Sequence, residues 1–142
     1  MAKVGIIYWS GTGNTEKMAE LIGQGAREAG AEVICKLVSA ASQDELTDYD
    51  VIVLGSPSMG DEVIEESEME PFVTAAKPSL KERRVALFGS YGWGEGDWMR
   101  SWSKDLKDVG ALLVDDGLIV HETPEGESAD LCVAYGKKIA AA

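Results

Sequence analysis

The sequence predicts a doubly wound α/β fold: a five-stranded parallel sheet with helices on both faces. Three observations carry that expectation. Short, β-branched apolar runs recur at positions 4–9, 33–38, 51–54, 85–90 and 112–120 of the 142 residues. Inside them the apolar residues follow one another without alternation, as in strands covered on both faces. Between them lie stretches of helical period, so strand and helix alternate and right-handed crossovers must connect them.

The elements follow in order. After the first run and Thr15, the residues Met18, Ile22, Ala26 and Ala29 share one helical face. The second run carries Cys35, and residues 42–48 behind it are polar except Leu46, which predicts one or two helical turns. The third run leads to a shorter helical face of Met69, Phe72, Val73 and Ala76, and the fourth to one of Trp98, Trp102, Leu106 and Val109. The fifth precedes a last helix that places Leu131, Tyr135 and Ile139 together. No repeat, low-complexity tract or linker interrupts the pattern, so residues 1–142 are expected to form one domain.

Twenty-five acidic against 13 basic side chains give a formal charge of -12. Such a surface repels nucleic acid and anionic membranes and attracts basic partners. With 45% hydrophobic residues the chain is too apolar for an acidic disordered tail. Cys35 and Cys132 show no metal or redox spacing, and no disulfide is expected. The apolar stretch that Ser10 breaks is too short for an export signal or a membrane span, so a cytoplasmic protein is expected.

In open sheets of this class ligands sit beyond the carboxyl ends of the strands, where the strand order reverses. That directs attention to the loops after strands one, three and four. The first reads Ser10-Gly11-Thr12-Gly13-Asn14-Thr15 and opens a helix. Its glycines admit an anion to the backbone, its hydroxyls and amide can donate, and the helix start adds unpaired N–H groups: a phosphate monoester site. It lacks the Gly-Lys-Ser/Thr ending of a nucleoside triphosphatase loop, and Glu16 stands where a dinucleotide fingerprint has its third glycine. No basic residue lies in it, so neutral donors would hold the dianion.

The second loop reads Gly55-Ser56-Pro57-Ser58-Met59-Gly60-Asp61-Glu62. Gly60 can take positive φ and let the Gly60–Asp61 peptide adopt either of two orientations. Met59 can lie against an aromatic face, and Glu62 can accept from a ring N–H. The third loop, Gly89-Ser90-Tyr91-Gly92-Trp93-Gly94-Glu95-Gly96, brackets Trp93 with glycines and leaves it as a stacking platform. Each loop alone also reads as an ordinary capped helix start, acidic turn or packed aromatic. Together they supply what a flat, phosphate-tailed heterocycle needs.

At these residues the chain resembles the flavodoxins, and among them the short-chain clostridial and anaerobe type. The resemblance rests on Tyr8-Trp9-Ser10-Gly11-Thr12-Gly13-Asn14-Thr15-Glu16, on Met59-Gly60-Asp61-Glu62, and on Phe88-Gly89-Ser90-Tyr91-Gly92-Trp93-Gly94 followed by Trp98-Met99. It implies strand order 2-1-3-4-5 and non-covalent FMN at the switch point, a placement for which flavodoxins are themselves the general example. It also implies phosphate binding by Ser10, Thr12, Asn14, Thr15 and Ser90, with Met59 and Trp93 flanking the isoalloxazine. Glu62 would face N3, and the Gly60 carbonyl would accept from N5–H. The implied function is low-potential one-electron transfer between redox proteins through a stabilised neutral semiquinone, by a monomeric carrier rather than an enzyme.

Two physical expectations accompany it. Reduction would turn the Gly60–Asp61 peptide toward N5–H, and the -12 charge with Trp93 overhead would disfavour the anionic fully reduced flavin. Asp61, Glu62, Glu65, Glu66, Glu68 and Glu70 could dock basic partners, or could simply face solvent. His121 is expected to be structural, and Trp9 and Trp98 to pack. An FMN-dependent quinone or nitro reductase, or an activator of a radical enzyme, is the competing reading.

Overall fold

The computed structural model describes residues 2–142. Its elements are β1 (Lys3–Tyr8), α1 (Asn14–Glu28), β2 (Glu32–Leu37), β3 (Val51–Gly55), α2 (Met69–Leu80), β4 (Arg84–Tyr91), α3 (Asp97–Val109), β5 (Leu112–Leu113), β6 (Leu118–His121) and α4 (Glu127–Ala140). All strand pairs are parallel, in the order β2-β1-β3-β4-β5, with β6 also on β4. The doubly wound order is therefore the expected one.

Successive strand residues point to opposite faces, so an unbroken apolar run fills two cores at once. Val4, Ile6, Val53, Ala86 and Phe88 lie under α1 and α4, whereas Ile7, Ile52, Leu54, Val85 and Leu87 lie under α2 and α3. Each fully buried Val, Ile, Leu or Phe among them stabilises by roughly 1.5–3 kcal/mol. At the edge, β2 is exposed or half-buried along its length, because only one neighbour covers it.

On one face the helices touch backbone to backbone. A Cβ on Gly25 would stand 1.9 Å from the Val133 carbonyl oxygen, and one on Gly136 would stand 2.0 Å from that of Ile22. Any side chain at either position would force α1 and α4 apart. In α4 the inward row is Cys132, Tyr135, Gly136 and Ile139. Leu131, expected in that row, is exposed instead, because small Cys132 takes the place nearest the sheet. Ala29, expected on the inner face of α1, caps its end and is likewise exposed.

Residues 42–48 give the expected turns as a 3-10 helix, Gln43–Asp48. Ser42 and Glu45 close it reciprocally, each side chain accepting from a backbone amide near the other. The expected fifth strand, 112–120, is in two pieces. Leu112 and Leu113 pair with Arg84 and Val85, then the chain leaves the sheet and rejoins it at Leu118 opposite Phe88. Asp115 and Asp116 cause the break: they suit a strand poorly, and they reach Lys138 at 2.8 Å and Lys107 at 2.9 Å. Its consequence is that β6 arrives beside the far end of β4, where the ligand loops begin.

Candidate cofactor site

A cavity of about 300 Å³ opens at the carboxyl edge of the sheet, between the loops after β1, β3, β4 and β6. The first loop forms its inner wall. Ser10 Oγ accepts from the amides of Gly13 and Glu16, both at 3.2 Å, which curls the loop over the start of α1. Gly13 caps that helix at φ 99°, a left-handed conformation in which glycine is unstrained. The following amides of the first turn have no partner within the helix and carry the positive end of its dipole. Below the loop, burial pushes the Tyr8 hydroxyl up to about 12, assisted by the neighbouring Glu16 carboxylate.

Thr15 and Ser90 join this wall to β4. Both are buried, and their hydroxyls lie 2.8 Å apart. Asn14 is fixed from the other side, its Oδ1 accepting from Thr123 Oγ1 at 2.8 Å. No lysine, arginine or histidine lines the cavity among the described residues.

The second loop is pinned at its base and free at its tip. Ser56 is buried, with Oγ donating to the Pro57 carbonyl and accepting from the Glu65 amide at 2.9 Å. Its hydroxyl is therefore internal to the loop and does not line the cavity. Met59 and Val63 exchange backbone hydrogen bonds at 2.9 and 3.0 Å, closing a turn over Gly60, Asp61 and Glu62. Gly60 has φ 50° and nothing within 4 Å of where a Cβ would stand. Ser58 lines the cavity, and its buried hydroxyl has no hydrogen-bond partner.

The Glu62 carboxylate accepts from the amides of Glu95 and Asp97, at 3.2 and 3.3 Å, tying the second loop to the start of α3. In the third loop Tyr91 and Gly92 line the cavity, and the Tyr91 ring packs 5.6 Å from that of Trp98. Trp98 packs as expected, and its indole donates to the Ser56 carbonyl. Trp93 stands 58% exposed beside Gly92.

Of the residues singled out from sequence, the cavity gathers Ser10, Gly11, Thr12, Asn14 and Thr15, then Pro57, Ser58 and Met59, then Ser90, Tyr91 and Gly92. Gly13, Ser56, Gly60, Asp61, Glu62, Trp93 and Gly94 frame the loops without lining it. Trp9, expected only to pack, also lines it and donates to Glu68 at 3.1 Å. Glu122 was missed, because no local pattern announces which residue of the loop after β6 turns inward. Of the acidic stretch, Glu65 is buried, with its carboxylate turned to the amides of Ser67, Glu68 and Met69, so it cannot face a partner.

A switch-point cavity with an uncharged anion cradle at one wall and Met59, Tyr91 and Trp9 at another defines a binding domain for a flat, phosphate-bearing cofactor. The family model for flavodoxin matches residues 6–136. Over 135 residues the chain is 50% identical to the flavodoxin of Clostridium beijerinckii, covering 95% of this chain and 97% of that protein. It is 45% identical to Megasphaera elsdenii flavodoxin over 139 residues, covering 98% and 99%. The solution structure of two-electron reduced Megasphaera elsdenii flavodoxin superposes with a TM-score of 0.90 at 44% identity, over 98% of this chain and 99% of that one.

The chain belongs to the flavodoxin family, and to its short-chain type. It is an FMN-binding electron carrier that serves redox partners, an electron-transfer protein rather than an enzyme. The residues present fit that cofactor: the orphaned Ser58 hydroxyl and the neutral donors around α1 suit a phosphate-tailed ligand. No helix among the described residues is long and apolar enough to cross a membrane.

Proposed function

We propose that this chain is a low-potential, one-electron carrier of the cytoplasm, folded as one domain over residues 1–142 and working as a monomer. The observation that carries the reading is the junction of the uncharged cradle with a glycine turn that is fixed at both ends and free at its tip. Bound FMN supplies a ring that can take up electrons singly. Ser10, Thr12, Asn14, Thr15 and Ser90, with the first-turn amides of α1, hold its phosphate. Met59 and Trp93 flank the ring, and the exposure of Trp93 leaves its face available to stack.

The Gly60–Asp61 peptide tunes the couple. The space where a Cβ on Gly60 would stand is open, so the Gly60–Asp61 peptide could turn its carbonyl to accept a hydrogen bond from N5–H of a reduced ring. Such a hydrogen bond, of order 1 kcal/mol, would be available to a ring protonated at N5 and not to the oxidised ring, and so would favour uptake of the first electron. Beneath Trp93, in a protein of charge -12, a further negative charge on the ring is disfavoured, which lowers the second potential. Asp61, Glu66 and Glu70 are exposed and face basic partners.

Stepwise reduction of the FMN-loaded protein, followed by visible spectroscopy, tests the reading. A yellow form should pass through a blue neutral radical before bleaching. Direct bleaching, or protein that takes up no FMN, would overturn it.

A further inference from the structure

Where β6 ends, His121 and Glu122 stand against the third loop. The Glu122 amide donates to the Tyr91 carbonyl at 2.8 Å, continuing the sheet by one bond. His121 Nε2 lies 3.3 Å from the Gly92 carbonyl oxygen, and its Nδ1 lies 3.4 Å from Glu122 Oε1. The imidazole also packs on Tyr91, with ring centroids 5.2 Å apart. Glu122 has φ 60°, in the left-handed region, where a side chain bearing Cβ is strained. Strain of that kind persists where surrounding contacts hold it, and it concentrates at functional sites.

Glu122 is the one charged residue lining the cofactor cavity among the described residues, and no lysine or arginine pairs with it there. A carboxylate at a site for a phosphate dianion is a mismatch that needs a reason. We propose that His121 and Glu122 form a proton-linked pair that sets how tightly the anionic cofactor is held. The proposal rests on the FMN reading of this cavity.

A protonated imidazole donates from both nitrogens, to the Gly92 carbonyl and to the Glu122 carboxylate. The pair is then neutral, and the third loop is braced. A neutral imidazole that keeps its proton on Nε2 still braces Gly92, but it turns a lone pair toward Glu122. The carboxylate is then uncompensated and opposes the phosphate. The titratable groups against the ring are Tyr91 from β4 and Glu122 just past the end of β6, and the Gly92 carbonyl faces it from the third loop. The rest of the ring meets solvent, since the side chain is 55% exposed.

Histidine is the side chain whose charge ordinarily changes between about pH 5 and 8. His121 is the only histidine in the chain, so a lost pH response after its replacement is attributable. The experiment measures the FMN dissociation constant of the apoprotein by flavin fluorescence quenching across that range, for the native chain, His121→Gln and Glu122→Gln. The second ionisation of the FMN phosphate is common to all three, so the ratios between them carry the answer.

Relative to His121→Gln, the native chain should bind FMN about threefold to fivefold tighter at the acid end than at the alkaline end. Glu122→Gln should tighten binding at the alkaline end, where the native carboxylate stands uncompensated. Riboflavin, which lacks the phosphate, should show a flatter profile. Superimposable profiles for the native chain and His121→Gln overturn the pairing. Absence of FMN binding at every pH overturns the site assignment itself.

Discussion

Where α1 begins, the cofactor cleft is lined by groups already in place: Thr15 and Ser90 are buried and bonded at 2.8 Å, and Ser10 receives two amides. Across the cleft, Gly60 and Trp93 stand in solvent, and their loops are held through the Met59–Val63 pairing and the Glu62 carboxylate. Preorganised donors lose little freedom when an anion arrives, so on the proposed reading that end supplies affinity. A turn with few contacts can change conformation at small cost, so the other end can answer to the charge of the ring. On the proposed reading, one site thus divides holding from tuning.

Removing the brace beneath the pliable end should have the largest effect. Burial pushes the Glu65 carboxyl up, but the Ser67 hydroxyl and the amides of Met69, Glu68 and Ser67 outweigh it and hold it below the usual carboxylate range. The lowered value means that the stabilisation is full above the ordinary carboxylate range and fades as pH falls through the folded-state value. Glu65→Gln should therefore cost about 2 kcal/mol in urea unfolding at neutral pH, with the gap to the native chain narrowing as pH falls below the ordinary carboxylate range.

At the rigid end, Thr15→Val removes the partner of the buried Ser90 hydroxyl. FMN affinity should fall by about tenfold, while the separation of the two one-electron potentials stays as it was. Gly60→Ala should do the reverse. Its φ of 50° costs a Cβ-bearing residue about 1 kcal/mol, so the yield of half-reduced flavin should change while FMN affinity shifts by less than about threefold. Equal effects of both variants on affinity and on yield would erase the distinction between the two ends. Smallest of all, Glu66→Gln with Glu70→Gln should slow transfer to a basic partner by about twofold at low salt and have no effect at high salt.

Much of this site was legible before folding because its chemistry is local. The cradle at residues 10–15 is contiguous, and glycine at position 60 signals its turn wherever the strands lie. Other roles depended on distant neighbours. Glu65 reads as one more acidic residue of a charged stretch, and only the fold turns it inward to cap α2. Ser56 reads as one more residue of a candidate binding loop, and only packing shows its hydroxyl spent on its own loop.

Apolar periodicity and the glycine-rich loops, both properties of nearest neighbours along the chain, determined the doubly wound sheet and the three loops that gather at the cavity. Tertiary structure decided what depends on long separations: the division of the fifth strand by Asp115 and Asp116, the backbone contact of α1 with α4 at Gly25 and Gly136, and the entry of Glu122 into the cavity. Those outcomes follow from which surfaces meet, and a residue's own preferences do not specify its partner.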